Sequence, residues 1–109
     1  MQTLCVYIVQ CTDGSYYCGL TNNLERRLWE HNTGQNPHAY TYNRRPVALV
    51  FIEHFQSEKQ AIAFEKQIKK WRRAKKEALI QRDWIKLQRL SKNYQSILRL
   101  AQDDPTSSG

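Results

Sequence analysis

The sequence predicts a protein of the α/β (α+β) class, with a small, mainly antiparallel three-stranded sheet flanked by helices in the order β-β-α-β-α-α. Three observations lead to that class. Residues 4–11, LCVYIVQC, are almost all apolar and rich in β-branched and aromatic types, as a strand covered on both faces requires. The turn-forming TDGS and the short apolar YYCGL follow at once, which makes a hairpin. Capping-box pairs, Asn22 with Glu25 and Ser57 with Gln60, each open a stretch with helical apolar spacing.

The elements then follow in order. The first strand covers 4–11 and the second 16–20. A helix starts at Asn22 and is closed by Gly34, a residue suited to the left-handed conformation at a helix end. Residues 33–46 hold two prolines, Gly34, Asn36 and Asn43, show no periodicity, and read as a loop. Residues 47–53 form the third strand. The next helix begins at Ser57 and carries Ala61, Phe64, Ile68 and Trp71. Helix then continues over 74–90, offering Ala78, Leu79, Trp84, Leu87 and Leu90 to a core. Residues 92–101 extend it or form one more short helix. A single domain is thus expected over 1–101, with a polar, disordered tail over 102–109.

A domain of this size buries roughly two-thirds of its unfolded surface, so a core can form without disulfide or metal staples. Cys5, Cys11 and Cys18 are odd in number, lack the spacing of a zinc site, and read as reduced packing residues. The longest apolar run, residues 47–52, falls far short of the ~20 residues of a membrane helix. The first residues lack the pattern of a signal peptide. The expectation is a cytoplasmic monomer with no membrane partner.

Charge is distributed unevenly. Through residue 55, Arg26, Arg27, Arg44 and Arg45 balance Asp13, Glu25, Glu30 and Glu53, so the net +7 lies entirely in the C-terminal half. Its densest part holds Lys66, Lys69, Lys70, Arg72, Arg73, Lys75 and Lys76, with no acid among them after Glu65. On a continuous helix, Lys69, Arg72 and Lys76 would share a face. A basic face on an otherwise neutral domain is the footprint of a polyanion binder, and nucleic acid is the partner expected. The plainer reading is a solvated helix surface.

Three features break the local rules. Leu24, Leu28 and His31 form an inward stripe on the first helix, and Arg27 sits inside it, where a guanidinium is costly without an anion to meet. Glu65 borders the buried stripe of a basic helix, between Ile62 and Ala61/Ile68. Tyr7 and Tyr17 cluster in the hairpin, with Tyr40 and Tyr42 in the long loop. Each has an ordinary role available to it. Strand tyrosines pack across strands, Arg27 can snorkel, Glu65 can pair with Lys69 or Arg72, and His31 can cap its helix. Their combination is what points to a site.

In that combination the chain resembles the GIY-YIG nuclease family. Cys5-Val6-Tyr7 stands at the first motif and Tyr17-Cys18-Gly19 at the second. The segment GLTNNLERRL followed by Glu30-His31-Asn32 and Gly34 looks like the family's helix signature. Ala39-Tyr40-Thr41 through Arg45-Pro46-Val47, and FEKQIKKW at 64–71, also match. The likeness is to small stand-alone bacterial members, related to the N-terminal nuclease domain of the excision-repair incision subunit, and covers residues 3–85. Cys-Val replaces Gly-Ile in the first motif, Cys18 replaces Ile in the second, and Arg72 stands where relatives often place a helix-capping serine.

The resemblance implies hydrolysis of phosphodiester bonds with one divalent cation, Mg2+ or Mn2+, on DNA in preference to RNA and by endonuclease action. Glu65 would be the sole protein ligand, the remaining ligands being water and phosphate oxygens. Arg27 would neutralise charge on the phosphoryl oxygens, Tyr7 would deprotonate or orient the attacking water, and Tyr17 would hold phosphate or water. An unperturbed tyrosine titrates near ~10, so Tyr7 needs nearby cations or a proton relay through His31; His31 is itself the alternative base. A non-catalytic nucleic-acid-binding module on the same fold is the competing reading.

The hairpin tests whether such a site can exist. A two-residue Asp13-Gly14 turn would send Tyr7 and Tyr17 to opposite faces. A three-residue Thr12-Asp13-Gly14 loop with Gly14 left-handed pairs Cys11 with Ser15, sets Tyr7 against Gly19, and puts both tyrosines on one side. Gly19 would then leave room beside Tyr7 for water and phosphate. The longer loop is the expectation.

Overall fold

The computed structural model describes residues 3–91, which gather into two compact units that divide after Lys70. The helix expected over 92–101 and the tail over 102–109 lie outside the described residues.

In the first unit, β1 (Leu4–Gln10), β2 (Tyr16–Thr21) and β3 (Ala48–Phe55) form one antiparallel sheet in the order β2-β1-β3. The central position of β1 explains its unbroken apolar sequence, and Cys5, Val6, Tyr7, Ile8 and Val9 are all buried. The hairpin takes the longer loop. Cys11 N–H bonds to Ser15 O at 2.8 Å and Gly14 N–H to Cys11 O at 2.9 Å. Gly14 has φ +85°, a conformation that a side chain would strain. Tyr7 therefore pairs with Gly19 and Val9 with Tyr17, which sets both tyrosines on one face. The space over Gly19 is not open to water and phosphate, however. It is filled by the Tyr7 ring, with which a Cβ at Gly19 would collide.

Two helices cover the sheet. On α1 (Leu24–Thr33), Leu24 and Leu28 pack with Tyr17 against a cluster of Tyr7, Val9, Cys11 and Val47. On α2 (Glu58–Lys69), the Phe64 ring lies 6.4 Å from Phe51 and 5.3 Å from Phe55 between centroids. Phe51 pairs with Ile8 and Phe55 with Leu4, whose parity on β1 is opposite to that of Tyr7 and Val9. The two helices thus occupy opposite faces. Each buried phenylalanine contributes roughly 1.5–3 kcal/mol by leaving water.

Local chemistry shifts several expected boundaries. The cap of α1 is Asn23, not Asn22: the Thr21 hydroxyl accepts from Asn23 N–H at 3.0 Å, and the Asn23 side chain accepts from Arg26 N–H at 3.1 Å. Gly34, at φ +68°, closes the helix as expected. Val47 precedes the third strand rather than opening it, because its N–H is held by Asn32 Oδ1 at 2.7 Å. The loop before it contains one short 3-10 turn, Tyr42–Arg44. Ser57 caps α2 as expected, accepting from Gln60 N–H at 3.2 Å. That helix ends at Lys69, so Trp71 lies beyond it. The basic run 66–76 is consequently not one helix, and Lys69, Arg72 and Lys76 do not share a helical face.

The second unit holds α3 (Arg73–Ile80) and α4 (Trp84–Leu90) where a single helix over 74–90 was expected. Arg82 turns left-handed at φ 55°, its N–H bonds to Leu79 O, and Asp83 N–H bonds to Ala78 O, each at 2.9 Å. This is a Schellman closure with arginine where glycine is usual. Asp83 then caps α4, accepting from Lys86 N–H at 3.1 Å. Ala78, Leu79 and Leu87 are buried, whereas Trp84 and Leu90 are only partly so.

Arg72 occupies the N-cap of α3 and makes no side-chain cap bond, and the first turn of that helix carries no acid. A cation there opposes the helix dipole and leaves a terminal N–H without a side-chain acceptor. Arg72→Ser is expected to stabilise the protein by about 0.5–1 kcal/mol, read as a raised urea midpoint at constant m-value. An unchanged or lower midpoint would show that the arginine cap is not a weakness.

Candidate active site

His31 is the structural centre of the tyrosine cluster. It sits in the last turn of α1, is 8% exposed, and is the buried residue of that helix. Its Nε2 is 2.9 Å from the Tyr7 hydroxyl and its Nδ1 is 2.8 Å from the Thr41 hydroxyl. Its ring also meets both strand tyrosines edge-on, with centroids 6.0 Å from Tyr7 and 5.3 Å from Tyr17. Burial lowers its pKa from the ordinary value near 6.5, and the charge of Arg27 lowers it further against the opposing pull of Glu30. The imidazole is therefore neutral at pH 7. It donates from one nitrogen and accepts at the other, and does not serve as a cationic helix cap.

Tyr7 is completely buried. Burial pushes its pKa well above the ordinary tyrosine value and the neighbouring Tyr17 adds to the rise, while the Arg27 guanidinium acts in the other direction through charge and hydrogen bonding. The shift is opposite to the one an independent phenolate base needs. Tyr17, at the sheet edge, is only partly buried and stacks on Tyr40 with centroids 6.0 Å apart and planes 19° from parallel. Arg27 does not point into the core. Its side chain is 41% exposed and pairs with Glu30 at 3.4 Å, at the rim of the cluster.

Glu65 lies on α2, whose Phe64 packs on the face of the sheet away from Tyr7, and the hydrogen-bonded chain Tyr7–His31–Thr41 does not include it. Its side chain is 13% exposed and pairs with Lys69 Nζ at 2.7 Å. That hydrogen bond raises the Lys69 pKa, and Tyr17 and Cys18 add to the rise, which places the Glu65–Lys69 pair beside edge strand β2. Among the described residues no group of three or more His, Cys, Asp or Glu could hold a metal ion. A single hard carboxylate still fits Mg2+ or Mn2+, which retain waters and take phosphate oxygens, and does not fit a closed zinc-type site.

The remaining basic residues divide into two groups. Arg73 pairs with Glu77 at 3.0 Å, and Lys75 lies 4.6 Å from the Trp71 ring centre. Burial and the charge of Arg72 lower the Lys75 pKa. Lys66, Lys70 and Arg72 are exposed, and Lys76 is partly buried.

Two site residues escape sequence reasoning as such. Thr41, 1% exposed, fixes the far side of His31. Arg44 binds the long loop to the hairpin turn: its guanidinium donates to Asp13 Oδ2 at 3.0 Å and to Tyr40 O at 2.7 Å, and lies 3.9 Å over the Tyr40 ring. The Arg44 carbonyl accepts from Thr12 N–H at 3.0 Å. The signal available for Thr41 was its place in the Ala39-Tyr40-Thr41 match, because the loop has no periodicity to mark it.

The antiparallel sheet between two helices thus carries two tyrosines and a histidine on one face, with an arginine at the rim. A family model described as the GIY-YIG catalytic domain matches residues 3–78, and the chain belongs to that nuclease family. It is 46% identical over 74 residues to a UPF0213 protein of Halobacterium salinarum, covering 68% of this chain and 95% of that one. It is 44% identical over 75 residues to the UPF0213 protein YazA of Bacillus subtilis, covering 69% and 75%. The solution NMR structure of protein EF2693 from E. faecalis has the same fold, with a TM-score of 0.57 at 34% identity over 78% of this chain and 90% of that one. Nucleases of the family generally use divalent metal ions, and the family implies nucleic-acid binding. No helix among the described residues is long and apolar enough to cross a membrane.

The lowered His31 pKa gives a pH dependence of definite sign. In the unfolded chain the imidazole takes its proton near ~6.5, and in the folded protein only at lower pH. The unfolded state binds more protons in that interval, so stability falls as pH drops below about 6.5 toward the folded value. Urea midpoints of wild type and His31→Gln between pH 5 and 8 are expected to converge on acidification. Parallel curves would mean that His31 is not buried in its neutral form.

Proposed function

We propose that the chain is a metal-dependent nuclease that hydrolyses phosphodiester bonds by a one-metal mechanism, on DNA in preference to RNA and by internal cutting. The observation that carries this reading is the buried chain from the Tyr7 hydroxyl through His31 to Thr41, with Tyr17 and Arg27 at its rim. A chain of this kind moves a proton inward.

Glu65 is the residue that holds the cation. When bound, the cation supplies charge stabilisation to the phosphate and to the leaving 3′-oxygen. Arg27 leaves Glu30, its 3.4 Å partner, for the phosphoryl oxygens, which its planar fork suits. Arg27 is also hydrogen-bonded to the buried Tyr7, so its departure frees the Tyr7 hydroxyl oxygen for the attacking water. Tyr17, at the edge, orients phosphate or water. Tyr7 accepts the proton from water only as it passes its own to His31 Nε2, because its raised pKa denies it a standing phenolate. Nδ1–H of the imidazole is held meanwhile by Thr41 Oγ1.

A non-catalytic nucleic-acid-binding module draws on two of the same observations, the burial of Tyr7 and the ion-paired state of Glu65. It requires salt-dependent binding with no metal-dependent cleavage by the wild-type protein.

Labelled single-strand, duplex, flap and branched DNAs and RNAs, with Mg2+, Mn2+ or EDTA, separate the two readings. Glu65→Gln keeps the shape of the side chain and is expected to lower metal-dependent cleavage on the order of a thousandfold or more, with nucleic-acid affinity retained or slightly raised. A folded variant that cuts within a few-fold of wild type would mean that the one-metal assignment is wrong.

Lys66, Lys70 and Arg72 are the exposed cations of the basic run outside the ion pairs of Lys69 with Glu65 and Arg73 with Glu77, and each phosphate contact they make adds about 0.9 to the salt slope on duplex DNA. Replacing all three with alanine is expected to weaken binding of every sequence alike and to flatten the slope. Unchanged affinity and slope would return the run to a solvated surface.

A further inference from the structure

Glu65 and Lys69 make the shortest ion pair among the described residues, 2.7 Å against 3.0 Å or more for the others. An i,i+4 pair on a helix is ordinarily a minor surface feature. This one differs in its surroundings. The carboxylate is shielded, at 13% exposure, while the lysine is 49% exposed, so a flexible ammonium is delivered onto a sheltered anion. The helix that carries the pair packs against β2, the edge strand that holds the outer tyrosine.

We propose that Lys69 is the resident counter-ion of the Glu65 carboxylate, that it competes there with the divalent cation, and that it moves to a nucleic-acid phosphate oxygen when the cation binds. This rests on the reading of Glu65 as the metal ligand. A divalent cation and an ammonium on one carboxylate repel each other, and the displaced ammonium, half exposed on its flexible stem, is free to meet a nearby anion. The phosphate backbone supplies one. Lysine suits the exchange better than arginine, being a compact point charge on a long flexible stem. The free protein therefore binds the ion weakly, and ion and nucleic acid assist each other's binding, as reciprocal linkage requires.

The test measures Mn2+ binding by electron paramagnetic resonance without nucleic acid, for wild type, Lys69→Met, Lys69→Arg and Glu65→Gln, each shown to be folded by circular dichroism. Lys69→Met is expected to bind Mn2+ about tenfold more tightly than wild type, a coupling of ordinary size. Lys69→Arg, which keeps the charge, stays near wild type, and Glu65→Gln loses the site. At saturating Mn2+, Lys69→Met is expected to cleave about tenfold more slowly than wild type despite its tighter metal, for want of the phosphate contact. Unchanged Mn2+ affinity in Lys69→Met alongside loss in Glu65→Gln would overturn the competition and leave the metal assignment standing. Wild-type affinity in Glu65→Gln would overturn the metal assignment and this proposal with it. Tighter Mn2+ with undiminished cleavage in Lys69→Met would overturn the transfer to phosphate.

Discussion

The loop Thr12-Asp13-Gly14 determines which side chains of β1 and β2 can meet, because strand side chains alternate faces and one residue more or less in the turn reverses every one of them. With this loop, Tyr7 and Tyr17 share a face with Val9 and Cys11, and α1 brings His31 down between them. Gly19 has no side chain because the Tyr7 ring lies across it. The ring contacts, the Tyr7–His31 hydrogen bond and the seat of α1 all follow from that register.

A second constraint is electrostatic. Charged groups near the cluster are matched within the protein: Arg27 with Glu30, Glu65 with Lys69, Arg44 with Asp13. What is buried is a neutral imidazole with a hydroxyl at each nitrogen, which avoids the desolvation of a charge while leaving no polar atom orphaned. Among the described residues every buried side-chain nitrogen or oxygen has a partner. The partnered charges lie at the rim, where a polyanion can draw them apart more readily than it could reach a buried pair.

The sheet, the register and the first two helices were legible because each rests on short-range chemistry: an unbroken apolar run rich in β-branched residues, a left-handed Gly14, and Ser57 as a cap. The misses have equally local causes. Asn22 and Asn23 are both competent caps, and the Thr21 hydroxyl decides between them from outside the helix. The break between α3 and α4 is hidden because Arg82, not glycine, takes the left-handed position. Within the site, spacing on α1 found His31 and Arg27 but overstated the burial of the arginine. Thr41 lies in a loop without periodicity, and Lys69 was one of two candidate partners for Glu65 that spacing alone could not separate.

The residue that joins the long loop to the hairpin has a consequence for where the chain tolerates insertions. Arg44 meets Thr12 through its backbone, Asp13 through its guanidinium, and Tyr40 through both carbonyl and ring. Residues 40–44 are therefore fastened to the turn, and Thr41 is carried within that fastened stretch. Residues 35–38 are exposed, and the contacts His38 N–H to Asn36 Oδ1 and Ala39 N–H to Asn36 O close a self-contained turn. Extra length inserted there costs little closure entropy and leaves the clasp intact. Length added between Tyr40 and Thr41 would instead draw Thr41 away from His31 and leave the buried imidazole without its second hydroxyl.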